Sequence, residues 1–174
     1  AHVVCMGFQK ADSTVFGIML GALDVLVSSA SDVMSNAPIG VFDSGVGGLT
    51  ILREIQRQLQ AESIVYIGDT AHCPYGGRNA AALTHLALQI TRQLCGRGAK
   101  MIVVACNTIS VNCIADLREE FPHVPIVGTA PAIKTASAVS TSRRIGVLST
   151  VATANSPYQA MLVEEFASDC TVTN

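Results

Sequence analysis

From Pro38 onward, apolar and polar positions alternate between two periods. Short apolar runs mark strands at Ile39–Phe42, Ile64–Ile67, Met101–Ala105, Pro125–Val127 and Ile145–Leu148. Between them lie stretches whose apolar residues recur every three or four positions. Leu49, Leu52, Ile55 and Leu59 predict one helix face, and Leu83, Leu86, Ile90 and Leu94 a second, ending at Gly96/Gly98. Val111, Ile114 and Leu117 predict a third face, stopped by Pro122. Ala132–Val139 reads as a fourth helix, and Asn155–Ala167, with Tyr158, Leu162 and Phe166 in register, as a fifth. Cys170–Asn174 alternates β-formers and reads as the start of another strand. Strand and helix in strict alternation predict an α/β fold with a parallel sheet and crossover helices.

The Met101–Ala105 strand is mostly β-branched and has no polar position, so it is expected to be buried on both faces. Cys106 ends it, and Asn107 and Thr108 open the next helix. In open α/β sheets, ligands bind outside the carboxyl ends of the strands. That places Cys106 where chemistry is done, beside a helix N-terminus that favours a thiolate. The competing reading is a buried cysteine acting as a small hydrophobe. Two other strand ends carry polar turns, Asp43-Ser44-Gly45-Val46-Gly47-Gly48 and Asp69–Arg78. The first offers backbone N–H groups to an anion, or caps the helix through Asp43 and Ser44. It lacks the third glycine of a dinucleotide fingerprint, because Thr50 stands there. In the second, Tyr75 and the N–H of Gly76 can meet a small polar ligand, or Pro74–Gly77 is simply a structural turn. His72 and Cys73 are adjacent and make a poor metal site.

Composition narrows the classes. The 174 residues are 49% apolar but only 14% charged. Low charge points to surface covered by a second copy of the chain or by more of the same protein. A net charge of −2 without a basic cluster argues against nucleic acid. The six cysteines form no C-x-x-C pair and match no zinc spacing, which suits the reducing cytosol and no metal. Val15–Leu23 is apolar but too short to span a bilayer before Asp24. Residues 1–36 carry no motif and read either as an extension or as a genuine N-terminal helix.

Taken together, Ile39-Gly-Val-Phe-Asp-Ser-Gly-Val-Gly-Gly-Leu-Thr50, Gly68-Asp-Thr-Ala, Pro74-Tyr-Gly76 and Val104-Ala-Cys-Asn-Thr108 resemble successive signatures of the cofactor-independent aspartate/glutamate racemase family, in its glutamate-acting members. The resemblance runs from about Pro38 to the end and includes Ile145-Gly-Val-Leu and Tyr158. It implies a parallel-sheet αβα sandwich in two similar domains, here residues 37–127 and the start of a second at 128–174. It implies a cytoplasmic enzyme without cofactor that interconverts L- and D-glutamate, supplies D-glutamate for peptidoglycan, and takes glutamate as its small-molecule partner, with a homodimer in view. Two cysteines act on opposite faces of the substrate Cα, and Cys106 matches the first. Asp43, Ser44, Tyr75, Gly76, Asn107 and Thr108 match substrate-binding positions. His72 stands where the family has arginine, and the later Cys-Thr-His motif is absent, so the chain reads as a fragment unable to racemise alone. The other readings are a racemase for aspartate or another amino acid, a dinucleotide-binding domain, and a non-catalytic domain that binds a partner.

Overall fold

The structure is a computed structural model and describes residues 36–174. The expected N-terminal extension and its Val15–Leu23 run lie outside the described residues. Twelve elements follow in order: β1 (Ile39–Asp43), α1 (Leu49–Gln58), β2 (Ile64–Gly68), α2 (Ala80–Gly96), β3 (Met101–Val104), α3 (Asn107–Glu120), β4 (Ile126–Gly128), α4 (Ile133–Val139), β5 (Arg144–Gly146), α5 (Val151–Ala154), α6 (Pro157–Phe166) and β6 (Thr171–Thr173). The first four strands form one parallel sheet in the order β2-β1-β3-β4, and β5 and β6 form a second parallel pair.

Order and layering follow from burial. β1, apolar up to its terminal Asp43, and β3, apolar throughout, are buried along their whole length and occupy the middle of the sheet. One face is covered by α2 and α3, through Leu83, Leu86, Ile90 and Leu94 on the first and Ile109, Cys113 and Leu117 on the second. The other face is covered by α1. The chain leaves β1 in one direction to β2 and returns past it to β3, so strand order reverses between β1 and β3. A crevice forms at such a point, at the carboxyl ends of the two strands.

Several boundaries differ from the periodicity. In α1, Leu49 is 46% exposed, and Ile51, Ile55 and Leu59 take the inward positions. Leu49 is the first residue of the helix. The fifth strand ends at Gly146 rather than Leu148, and Leu148 is exposed. The expected Asn155–Ala167 helix is α6, starting at Pro157, and a separate four-residue helix, α5, precedes it. Thr150 caps α5 by accepting from the Thr153 N–H, and Ser156 caps α6 by accepting from the Gln159 N–H. Pro157 follows at the first helical position, where its missing N–H costs nothing. Arg144 opens β5, while Arg143 pairs with Asp169 and donates to the Ser137 carbonyl. Cys170–Asn174 does contain a strand, β6. Among the described residues no helix is long and apolar enough to cross a membrane.

Candidate active site

The crevice is built from three chain turns. The first follows β1. Asp43 is buried, and its Oδ2 accepts from the N–H groups of Gly45 (3.1 Å) and Gly48 (3.0 Å). The carboxylate therefore fastens the glycine turn and the start of α1. No side chain caps α1 from its own N-cap position, Gly48, so Asp43 takes that task from five residues upstream. The glycine is required: a Cβ at Gly48 would stand 2.6 Å from Asp43 Cβ and 3.0 Å from Ala105 Cβ.

This turn aims Ser44 at Cys106. The Cys106 thiol, itself the N-cap of α3, donates to Ser44 Oγ at 3.4 Å. Both residues are buried. Burial pushes the Cys106 thiol above its usual value, and the Asp43 charge pushes the same way. Ser44 Oγ and the N–H groups of Ile109 and Ser44 push against them by hydrogen bonding to the sulfur. The expectation of a thiolate favoured by the helix N-terminus is corrected here. The donors are in place, but desolvation outweighs them and the resting group is the neutral thiol.

The second turn is the loop after β2. Its Asp69 N–H donates to the Asp43 carbonyl at 2.9 Å, which ties it to the first turn. Tyr75 is fully buried among the core side chains, and its hydroxyl donates to Asp69 Oδ2 at 2.5 Å. His72 Nδ1 lies 2.8 Å from Asp69 Oδ1. Burial, and then the bond to Asp69, raises the Tyr75 phenol well beyond its ordinary range, so it stays protonated. With the hydroxyl engaged, the backbone at Tyr75–Gly76 is the part able to meet a ligand. His72 and Cys73 are exposed, and no cluster able to hold a metal occurs among the described residues.

The third turn opens α3. Asn107 is half-buried and makes no side-chain hydrogen bond among the described residues. Thr108 is buried, and its Oγ1 lies 3.1 Å from Thr150 Oγ1. Thr150 is the residue that sequence reasoning missed. A Cβ at Gly76 would stand 2.8 Å from Thr150 Cβ and Cγ2, so the loop's glycine and the helix's threonine meet on one side chain. Its only sequence signal was an N-cap threonine three residues before Thr153. Asp69 and Tyr66 were also missed as parts of the site. Cys106, Ser44, Asp43, Asn107 and Thr108 are brought to the crevice directly, whereas Gly76 reaches it from the flanking loop.

A buried thiol ringed by N–H and O–H donors, with the unengaged Asn107 amide one residue away and the Thr108 hydroxyl two away, suits proton transfer at a carbon next to a carboxylate. Comparison with known proteins bears on this chemistry. Residues 39–171 match the family model described as Asp/Glu/Hydantoin racemase. The glutamate racemase of Ectopseudomonas mendocina is 48% identical over 138 residues, covering 79% of this chain and 52% of that protein. That of Pseudomonas aeruginosa PAO1 is 45% identical over 139 residues, covering 80% and 52%. Among solved structures, Escherichia coli glutamate racemase in complex with L-glutamate and the activator UDP-MurNAc-ala superposes with a TM-score of 0.72 at 35% identity, covering 78% of this chain and 52% of that one. Glutamate racemase from Aquifex pyrophilus superposes at 0.71 with 39% identity, covering 78% and 53%. The chain spans about half the length of the relatives it matches. It has a parallel-sheet α/β fold matching theirs, and it belongs to the Asp/Glu/hydantoin racemase family.

Proposed function

We propose that this chain carries one side of a glutamate racemase active site, with Cys106 as the group that removes or returns the α-proton on one face of the substrate. The observation that carries this is the Cys106 sulfur at the β1/β3 reversal, held by Ser44 and faced by the N–H groups of Ser44 and Ile109. Those donors stabilise the thiolate at the moment it forms, although the resting site favours the thiol. Asn107, Thr108 and the Tyr75–Gly76 backbone are the polar groups for the amino acid. Asp43 holds the turn that aims Ser44, and its charge lies close enough to Cys106 to oppose early ionisation. Inverting a stereocentre needs a second acid on the opposite face. The resemblance assigns that role to a second cysteine, in a longer protein made of two such domains, residues 37–127 and one beginning at 128. The same reading brings independence from cofactors, a cytoplasmic setting, D-glutamate supply to peptidoglycan, and a homodimer.

The test is incubation with D-glutamate in deuterium oxide, read by mass spectrometry for α-deuterium and by chiral chromatography for configuration. The expected result is deuterium uptake that Cys106→Ser abolishes. For the 174-residue chain alone, configuration should be retained. Uptake indifferent to Cys106→Ser would overturn the assignment of the base. Faster exchange with aspartate than with glutamate would overturn the substrate.

A further inference from the structure

Tyr66 stands third in β2, opposite Val41 of β1, with its ring in the core beneath α1. Its hydroxyl donates to the carbonyl of Gly45 at 3.2 Å, 21 residues away, inside the glycine turn. The turn is shaped to receive it, since a Cβ at Gly48 would stand 3.0 Å from that hydroxyl. Gly68 is shaped in the same way, because a Cβ there would stand 2.7 Å from the Gly45 carbonyl oxygen. The Gly45 carbonyl belongs to the Gly45–Val46 peptide, one plane beyond the Ser44–Gly45 peptide, so holding it anchors the turn directly after the group that contacts the sulfur. Ser44 presents both its Oγ and its N–H to Cys106.

We propose that Tyr66 is a positioning residue that holds Ser44 against the Cys106 sulfur through the Gly45 carbonyl. The proposal rests on the reading of Cys106 as the proton-transferring thiol. The Tyr66 hydroxyl bonds the Gly45 carbonyl and acts on Ser44 through the turn. Burial, with Asp43 and Cys106 nearby, pushes its phenol up to about 12, so it remains a donor throughout the range in which a thiol works. The titratable groups that face Cys106 are Asp43 from β1, Tyr66 from β2, Tyr75 from the following loop and Cys113 from α3. Only Tyr66 among them also holds the Ser44 turn from β2.

The experiment is site-resolved alkylation of the 174-residue protein by iodoacetamide between pH 7.5 and 9.5, followed by mass spectrometry, for wild type, Tyr66→Phe, Ser44→Ala and the double variant. Loss of one neutral hydrogen bond to the thiolate raises a thiol by about half to one pH unit. The thiolate fraction then falls about three- to tenfold, and the higher basicity returns about half of that on a logarithmic scale. A net fall of about two- to threefold in the Cys106 rate is expected in Tyr66→Phe and in Ser44→Ala, with little further fall in the double variant. Mere loosening has the opposite sign, because it admits reagent and speeds alkylation. A faster or unchanged Cys106 rate in Tyr66→Phe, equal changes at Cys106 and Cys113, or effects that multiply in the double variant would each overturn the proposal. The readout is chemical labelling, so it is separate from whether the chain exchanges glutamate.

Discussion

The thiols separate along two axes, access and ionisation. Cys73 is exposed, Cys95 and Cys170 are half-buried, and Cys106 and Cys113 are buried. Position at a strand end marks Cys106 as the thiol to label first, yet the structure reverses that order for a reagent in solution. Cys73 is expected to alkylate first at pH 7, with Cys106 following at a rate that climbs steeply with pH. Timed labelling with peptide mapping checks this, and Cys106 leading at neutral pH would contradict it. The same burial has a consequence for stability. Cys106 is raised by burial, and Cys113, raised from 9.0 to about 11, is held up by burial against its contact with Thr84. An unfolded chain releases these protons near pH 9 while the folded chain keeps them. Stability therefore falls as pH rises above 9, and the Cys113 share is spent by about pH 11. Urea midpoints at pH 7.5, 9 and 10.5 should decrease in that order, and a Cys113→Ala background should flatten the decline. Asn107, with its amide unengaged at the head of α3, is the contact to remove. Asn107→Ala should cost about 1–3 kcal/mol in kcat/KM wherever racemisation is measured, with the thermal midpoint nearly unchanged.

At the scale of elements, legibility tracked how far a segment's periodicity was decided by local chemistry. β1, β3 and α2 were readable because most of their inward positions are large apolar residues. The crevice was readable because Cys106 and Asp43–Ser44 end neighbouring strands. The register of α1 was not, because Leu49 and Ile51 are equally apolar and only the fastening of the glycine turn by Asp43 decides which faces inward. Helix α6 was readable because Tyr158, Leu162 and Phe166 keep helical spacing, and the Ser156 cap with Pro157 sets its start two residues later than that spacing suggests. Thr150 was invisible because its partners Thr108 and Gly76 lie 42 and 74 residues away in sequence, and no local pattern encodes such a meeting. The glycines give a prediction with an internal control. A Cβ at Gly48 would clash hardest with the Asp43 Cβ at 2.6 Å, which is fixed by backbone, whereas one at Gly128 would clash hardest with the tip of Ile114 at 2.5 Å and meet a fixed Cβ, that of Ser110, only at 3.1 Å. A tip can rotate away and a Cβ cannot. Gly48→Ala should cost about 2–3 kcal/mol, and Gly128→Ala clearly less. Equal denaturant midpoints for the two variants would show that the turn yields more easily than its packing suggests.

For the whole molecule, the two sheets are unequal partners. The four-stranded sheet is covered on both faces and holds the two larger clusters of buried side chains. The β5–β6 pair rests on a small core of Ile133, Ile145, Leu162 and Ala167, and a two-stranded sheet is marginal without support. Its support at the site is a mostly polar seam. Thr150 meets Thr108, and Asn112 Nδ2 donates both to the Thr108 carbonyl (2.8 Å) and to the Ala152 carbonyl (3.3 Å). Each such bond contributes about 1 kcal/mol net, far less than the apolar packing of α2 and α3 on the sheet. The chain should therefore open in two steps, with residues from about 128 onward exchanging their amides before 39–127, which is the division proposed for its two domains. Native-state hydrogen exchange should show the β5 and β6 amides exchanging at least about tenfold faster than those of β1 and β3. Thr150→Val keeps the shape against Gly76 and removes the hydroxyl shared with Thr108, Thr153 and the α5 cap. It should accelerate exchange in α5, α6 and the β5–β6 pair by a further factor of about five to ten and leave β1 and β3 unchanged. Uniform protection across both sheets, or acceleration that spreads equally into β1 and β3, would mean that the seam is not where the molecule divides.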